Sequence, residues 1–117
     1  MFSFEQFLVY QRAQKFYQVV VLKVINSADI NYIIKDQLHR ASLSISLNIA
    51  EGSGRHTPGE KRNFYTIARG SVHECVAIVS TLKNLNLLSH ELHETFYQDL
   101  TEISKMLSGL IKTFEKK

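Results

Sequence analysis

Apolar residues return every three or four positions along almost all of this chain, and that spacing selects helices. Leu92, Phe96, Leu100, Ile103, Leu107, Leu110 and Phe114 step by 4, 4, 3, 4, 3 and 4, which lines one face of an α-helix. Glu91, Glu94, Gln98, Glu102, Lys105 and Lys112 fall off that face. Ser89 supplies an N-cap, with Glu91 facing the positive helix end. An earlier segment opens with Thr57, Pro58, Gly59 and Glu60. That order reads as a cap, a proline at the first helical position and a capping-box acid. Its stripe is Phe64, Ile67, Ala68, Ser71, Cys75, Ile78, Val79, Leu82 and Leu85, flanked by Gly70 and Ala77, small enough for another helix to come close. Near the start, Val9, Ala13, Phe16, Val20 and Val24 make a further stripe. The run Val19–Leu22 has strand propensity, but the helical pattern passes through it without a turn signal.

The segment Ala41–Arg55, ASLSISLNIAEGSGR, alternates strictly in its middle, as a half-buried strand does. Projected at 100° per residue, it resolves differently. Ile34, Leu38, Ala41, Ile45 and Ile49 share one face, and Leu43, Leu47 and Ala50 share roughly the opposite one. The alternation is two apolar helix faces interleaved. A helix apolar on two sides is buried on two sides, so Leu43, Leu47 and Ala50 are expected to be covered by a neighbouring copy of the chain. Ser42 and Ser46 are small enough to let that cover approach. Between the faces runs a polar stripe of Gln37, Arg40, Ser44, Asn48 and Glu51. Buried polar groups need partners, and Glu74 on the next helix is the candidate partner for Arg40. The stripe is expected to be a structural network that fixes helix register.

These patterns predict one all-α domain over residues 1–117, with helices at about 4–26, 32–52, 58–86 and 89–115. One proline and five glycines leave few breaks. Short connections make successive helices antiparallel neighbours, giving an up-down-up-down four-helix bundle. A length of 117 residues supports one core. The longest charge-free run, 41–50, is far shorter than the roughly 20 residues that span a bilayer. The N-terminus lacks the pattern of a secretory signal. Cys75 is the lone cysteine, which excludes an intrachain disulfide and suits a reducing cytoplasm.

Catalytic constellations are not evident. His90 and His93 in SHELHE stand three apart, where the zinc-protease helix needs four and a Glu directly after the first; they read as surface histidines at a helix start. Cys75 lies on an apolar stripe and reads as a buried, inert thiol. Ser44, Ser46 and Ser71 have no histidine at helical spacing to act as a base. GSGR lacks the phosphate-loop spacing, and reads as a helix stop in which Gly52 or Gly54 adopts the left-handed conformation. No metal or cofactor is expected, and no enzyme. The one surface with binding character is Gly54–Arg62, where Arg55, His56, Lys61 and Arg62 cluster beside a helix N-terminus. The net charge of +3 is too mild for one copy to grip nucleic acid tightly. Several copies would multiply such contacts.

Two stretches carry a family pattern: LHRASLSISLNIAEGSGR over 38–55 and FYTIARGSVHE over 64–74. With the apolar C-terminal helix, they resemble the four-helix-bundle proteins encoded in intervening sequences of bacterial 23S ribosomal RNA genes. The matching positions are Arg40, Ala41, Ser44, Ile45, Asn48, Ile49, Ala50, Glu51, Gly52, Gly54 and Arg55, then Phe64, Ala68, Gly70, Ser71 and Glu74. Tyr10 stands where that family usually has Trp. The resemblance implies a symmetric ring, a homopentamer, with no established enzymatic activity. It also implies an association with RNA or DNA, or with a nucleic-acid enzyme such as a reverse transcriptase. Two functions follow: a ring that contacts nucleic-acid backbone through its basic rim, or a scaffold with no nucleic-acid role.

Overall fold

The computed structural model describes residues 2–115. A 3-10 turn at Ser3–Gln6 leads into α1 (Leu8–Val20), which continues through a π-helical turn at Val21–Ile25. Then come α2 (Tyr32–Ser53), α3 (Pro58–Asn84) and α4 (His90–Thr113). The described residues are all helical, without a strand, and pack as a four-helix bundle. No helix among them is long and apolar enough to cross a membrane.

Each helix start has a local cause. The Asn31 side chain accepts from the Ile33 N–H (2.8 Å), and Ser89 Oγ accepts from the Leu92 N–H (3.1 Å). Thr57 Oγ1 accepts from the Glu60 N–H (3.2 Å), and Pro58 follows at a position where its missing N–H costs nothing. Instead of reaching back to the Thr57 backbone, the Glu60 carboxylate accepts from the Thr57 hydroxyl (3.0 Å). The first element departs from a single helix over 4–26. Glu5 draws the Phe2 N–H into the 3-10 turn (2.9 Å), and α1 starts only after Phe7. At its far end the Asn26 N–H reaches the Val21 carbonyl (3.1 Å). That wider turn keeps both Val20 and Val24 in the core while leaving Leu22 exposed.

The core runs the length of the bundle. Phe16 and Phe96 meet edge to face, with centroids 5.4 Å apart, and Leu38, Ile45, Ile49, Leu82, Leu100, Ile103 and Leu107 fill the space around them. The buried line of α3 is Tyr65, Ala68, Val72, Cys75, Val79 and Leu82. It is turned from the predicted stripe, and Ile67 is left exposed. Gly52 on α2 lies against this line. A Cβ there would lie 2.9 Å from Tyr65 Cε1 and 3.0 Å from Phe64 Cβ, so the missing side chain is the slot that seats the Tyr65 ring.

Neither Gly52 nor Gly54 is left-handed: no described glycine has positive φ, and Gly54 ends α2 at φ −83°. The expected left-handed glycine stop is therefore corrected. The left-handed residue is Asn86 (φ 59°). There the Leu87 N–H reaches the Leu82 carbonyl and the Asn86 N–H reaches Lys83, closing α3 in a Schellman motif.

Two outcomes are expected. Gly52→Ala should cost about 1–3 kcal/mol in urea unfolding, because the ring it meets is fully packed. Gly54→Ala, whose Cβ would find only ordinary contacts, should fall within about 0.5 kcal/mol of the parent. The second concerns Cys75, whose thiol burial pushes up to about 12, helped by the neighbouring Glu74 charge. The unfolded thiol ionises first, so this group's stabilisation is complete below pH 9 and declines as pH rises towards 12. Burial also raises the Tyr65 phenol, which adds a slope of the same sign. Cys75→Val should flatten part of the alkaline decline seen in unfolding titrations. The native thiol should react with a disulfide reagent at pH 8 at least about 100-fold more slowly than the unfolded one.

Candidate nucleic-acid interface and assembly face

The basic cluster lies on the short turn between α2 and α3. At the end of α2 the Gly54 N–H reaches the Ala50 and Glu51 carbonyls and the Arg55 N–H reaches Gly52, which leaves the Ser53 carbonyl in need of a donor. Lys61, one turn into α3, provides it. Its Nζ donates to the Ser53 carbonyl (2.9 Å) and more weakly to Gly52 (3.4 Å). Arg62, the next residue, turns the other way and donates from Nη1 to the Phe114 carbonyl at the end of α4 (2.9 Å). Both cations thus sit at helix C-termini, where the backbone carries partial negative charge. Arg55 lies between Glu51 (3.6 Å) and Glu60 (3.8 Å), with its guanidinium 4.6 Å from the centre of the Phe64 ring. His56 is exposed. The structure brings all four residues to one end of the bundle, but it employs Arg55, Lys61 and Arg62 in the fold. Sequence spacing exposed the cluster; it could not show that Arg62 reaches a carbonyl 52 residues away.

The polar stripe of α2 closes only at its centre. Ser44 and Ser71 hydroxyls are 2.9 Å apart, and Asn48 Nδ2 donates to the Ser44 hydroxyl (2.9 Å) and carbonyl (2.8 Å). These bonds pin α2 to α3. The expected Arg40–Glu74 pair is corrected: the Arg40 Nε donates to Asp36 one turn back (3.0 Å), and both Arg40 and Glu74 are exposed. Arg40 lies on the outward side of α2, where a partner on its own helix is nearer than one across the seam. Glu51 is also outward and meets Arg55, while Gln37 is exposed beside Glu74.

The second apolar face of α2 divides. Leu47 is 56% exposed, whereas Leu43 and Ala50 are partly buried. Ile33 and Ile67 add exposed apolar surface on α2 and α3. A shallow groove of about 220 Å³ between the start of α2 and the end of α3 is lined by Ile33, Ile34, Gln37, Glu74, Ala77, Ile78 and Thr81. Ser42 and Ser46 do not join this surface. Both are fully buried: Ser42 donates to the Leu38 carbonyl, and Ser46 accepts from Gln14 of α1 (3.0 Å). Both lie inside the subunit, Ser46 against α1, and so cannot admit another subunit, which corrects the sequence expectation.

His93 is likewise not a surface histidine. It is buried between α3 and α4, with Nε2 3.4 Å from Ser80 Oγ and its ring beside Tyr97. Among the described residues, no three His, Cys, Asp or Glu side chains come together as a metal site.

A family model described as 23S rRNA-intervening sequence protein matches residues 5–109. A crystal structure of a protein of unknown function from the S23 ribosomal protein family of Bacteroides thetaiotaomicron is similar in fold. It is 24% identical, the match covers 90% of this chain and 99% of that one, and the TM-score is 0.83. None of the curated proteins compared matches this chain.

The caps generate a test. Lys61→Ala and Arg62→Ala should each lower stability by about 0.5–1.5 kcal/mol in denaturant titrations, since the first removes the donor to the Ser53 carbonyl and the second the donor to the Phe114 carbonyl. His56→Ala, at an exposed site, should change it by less than about 0.5 kcal/mol.

Proposed function

This chain belongs to the 23S rRNA-intervening sequence protein family, and from that membership and the surfaces above we propose that it is a non-catalytic, self-assembling helical scaffold of the cytoplasm. Its working form is a homo-oligomer, a pentameric ring on the family resemblance. The observation that carries this reading is Leu47, a large aliphatic side chain 56% exposed on a helix whose other side is the core. Ile67 on α3 and Ile33 at the start of α2, 45% and 57% exposed, add apolar surface to the same two helices. The non-catalytic part is supported by how the reactive groups are used. The thiol is buried and held protonated, and the Ser44 and Ser71 hydroxyls bond each other.

A second reading keeps a nucleic-acid role: the rim of Arg55, His56, Lys61 and Arg62 contacts RNA or DNA backbone, or docks a nucleic-acid-processing protein, as a ring repeats it. One observation favours it. Carbonyl caps leave Lys61 and Arg62 charged and with further N–H donors. Against it, Arg55 is flanked by two carboxylates, so the scaffold reading ranks first.

Light scattering separates the possibilities. The wild type should give a mass several times the 13.5 kDa subunit. Leu47→Asp should drop it towards the subunit mass while changing the fold's stability by less than about 0.5 kcal/mol, because the site is open in the single chain. A monomeric wild type, or a Leu47→Asp oligomer unchanged in mass, overturns the assembly. On the scaffold reading, labelled RNA and DNA show no salt-sensitive anisotropy change at about 50 mM salt. Binding that falls with salt and is lost on His56→Ala with Arg55→Gln would establish the second reading instead.

A further inference from the structure

The seam between α1 and α4 packs more loosely than the α2–α3 and α3–α4 seams, and it holds a cleft of about 430 Å³. Arg12 and Lys15 form the α1 wall, Thr95 and Asp99 the α4 wall, and Phe16 and Val19 the floor. The volume falls within the range of small-molecule sites. Asp99 is half-buried, and Arg12 and Lys15 are exposed at the mouth. None of the three side chains forms a hydrogen bond or ion pair with another described residue. Burial pushes the Asp99 carboxyl upward, and the fields of Lys15 and Arg12 pull it back without contact. Thr95 donates its hydroxyl proton to the Glu91 carbonyl (3.1 Å), which leaves its lone pairs free to accept. The cleft therefore presents opposite charges across a gap that no side chain closes.

That arrangement selects among ligands. A simple anion would satisfy the α1 wall but meet the Asp99 charge, and a simple cation would meet Arg12 and Lys15. A molecule carrying both signs a few ångströms apart satisfies both walls. The Arg12 guanidinium suits a carboxylate in particular, because its fork can donate twice. We infer that this cleft binds a small zwitterion of the α-amino-acid class, its carboxylate towards Arg12 and Lys15, its ammonium towards Asp99 and its side chain over Val19. The site is separate from the assembly face and from the basic turn.

The test uses the full-length protein and the common α-amino acids, each at about 10 mM, in a thermal-shift screen followed by calorimetric titration. At least one is expected to raise Tm by a few degrees and to give a measurable Kd. Asp99→Asn, isosteric and at a side chain that makes no direct protein hydrogen bond or ion pair, should weaken that binding about tenfold or more. Arg12→Gln with Lys15→Gln should weaken it similarly. The best ligand's analogues, one lacking the amine and one lacking the carboxylate, should each bind at least about tenfold more weakly. Leu47→Asp should bind normally, so the fate of the assembly does not decide this result. The inference is overturned if no amino acid shifts Tm or yields heat. It is equally overturned if Asp99→Asn binds as the parent does, or if the amine-free acid binds as tightly as the amino acid, which would make the cleft a plain anion site.

Discussion

The bundle depends on how closely α2 can approach α3. Gly52 leaves the slot that admits the Tyr65 ring, and 2.9 Å is all that separates that ring from where a Cβ would stand. Eight residues earlier on α2, Ser44 bonds Ser71 across the same seam, and Asn48 bonds Ser44 in turn. One contact sets spacing and the other sets register. With both in place, Ala41, Ile45 and Ile49 face inward with Ala68, Val72 and Cys75, and Leu47 is turned out of the bundle. Small residues and short hydroxyls do this because they let two backbones come near without burying an unsatisfied group.

The same economy of polar groups shapes the ends of the bundle. Helix C-termini carry carbonyls that need donors, and here two consecutive α3 residues supply donors to two different helices. Cations that look like a ligand-binding cluster in the sequence are, in the fold, the ties that hold α2 and α4 at one end. This use does not remove their charge, but it gives them a structural reason to be there. The contrast with the α1–α4 seam is instructive. There the cations close on nothing, and an acid stays half-buried without a partner.

Much of the architecture was legible because helical burial is periodic. The stripe of the first helix coincides with buried residues from Val9 to Val24, and that of the last from Phe96 to Leu107, although at its ends His93 and Ile111 are buried while Leu92, Leu110 and Phe114 are only partly so. The caps Thr57 and Ser89 act where they were expected. Less legible was the rotation of each helix by a fraction of a turn. The buried line of α3 passes through Tyr65 and Val72, not through Ile67. Periodicity fixes a repeat but leaves its phase loose when the apolar arc is wide, and in the fold Tyr65 is the residue seated against Gly52 of the neighbouring helix. Side-chain partners were less legible still. Arg40 and Glu74 are on facing edges by projection, yet Arg40 takes the acid on its own helix. An intrahelical partner four residues away is always within reach, whereas one across a seam depends on distance.

What the sequence determined by itself was the number of helices, their order, and that α2 carries apolar residues on two sides, since these follow from local propensity and spacing. What only the tertiary structure decided was which of those sides is spoken for. Ser46 is taken by Gln14 of α1 while Leu47 is left uncovered by the subunit's own helices, and Arg62 is drawn to a helix end 52 residues away. A residue's neighbours along a helix are given by its period. Its neighbours across a seam depend on how closely two backbones can pack, and that is a property of pairs of helices.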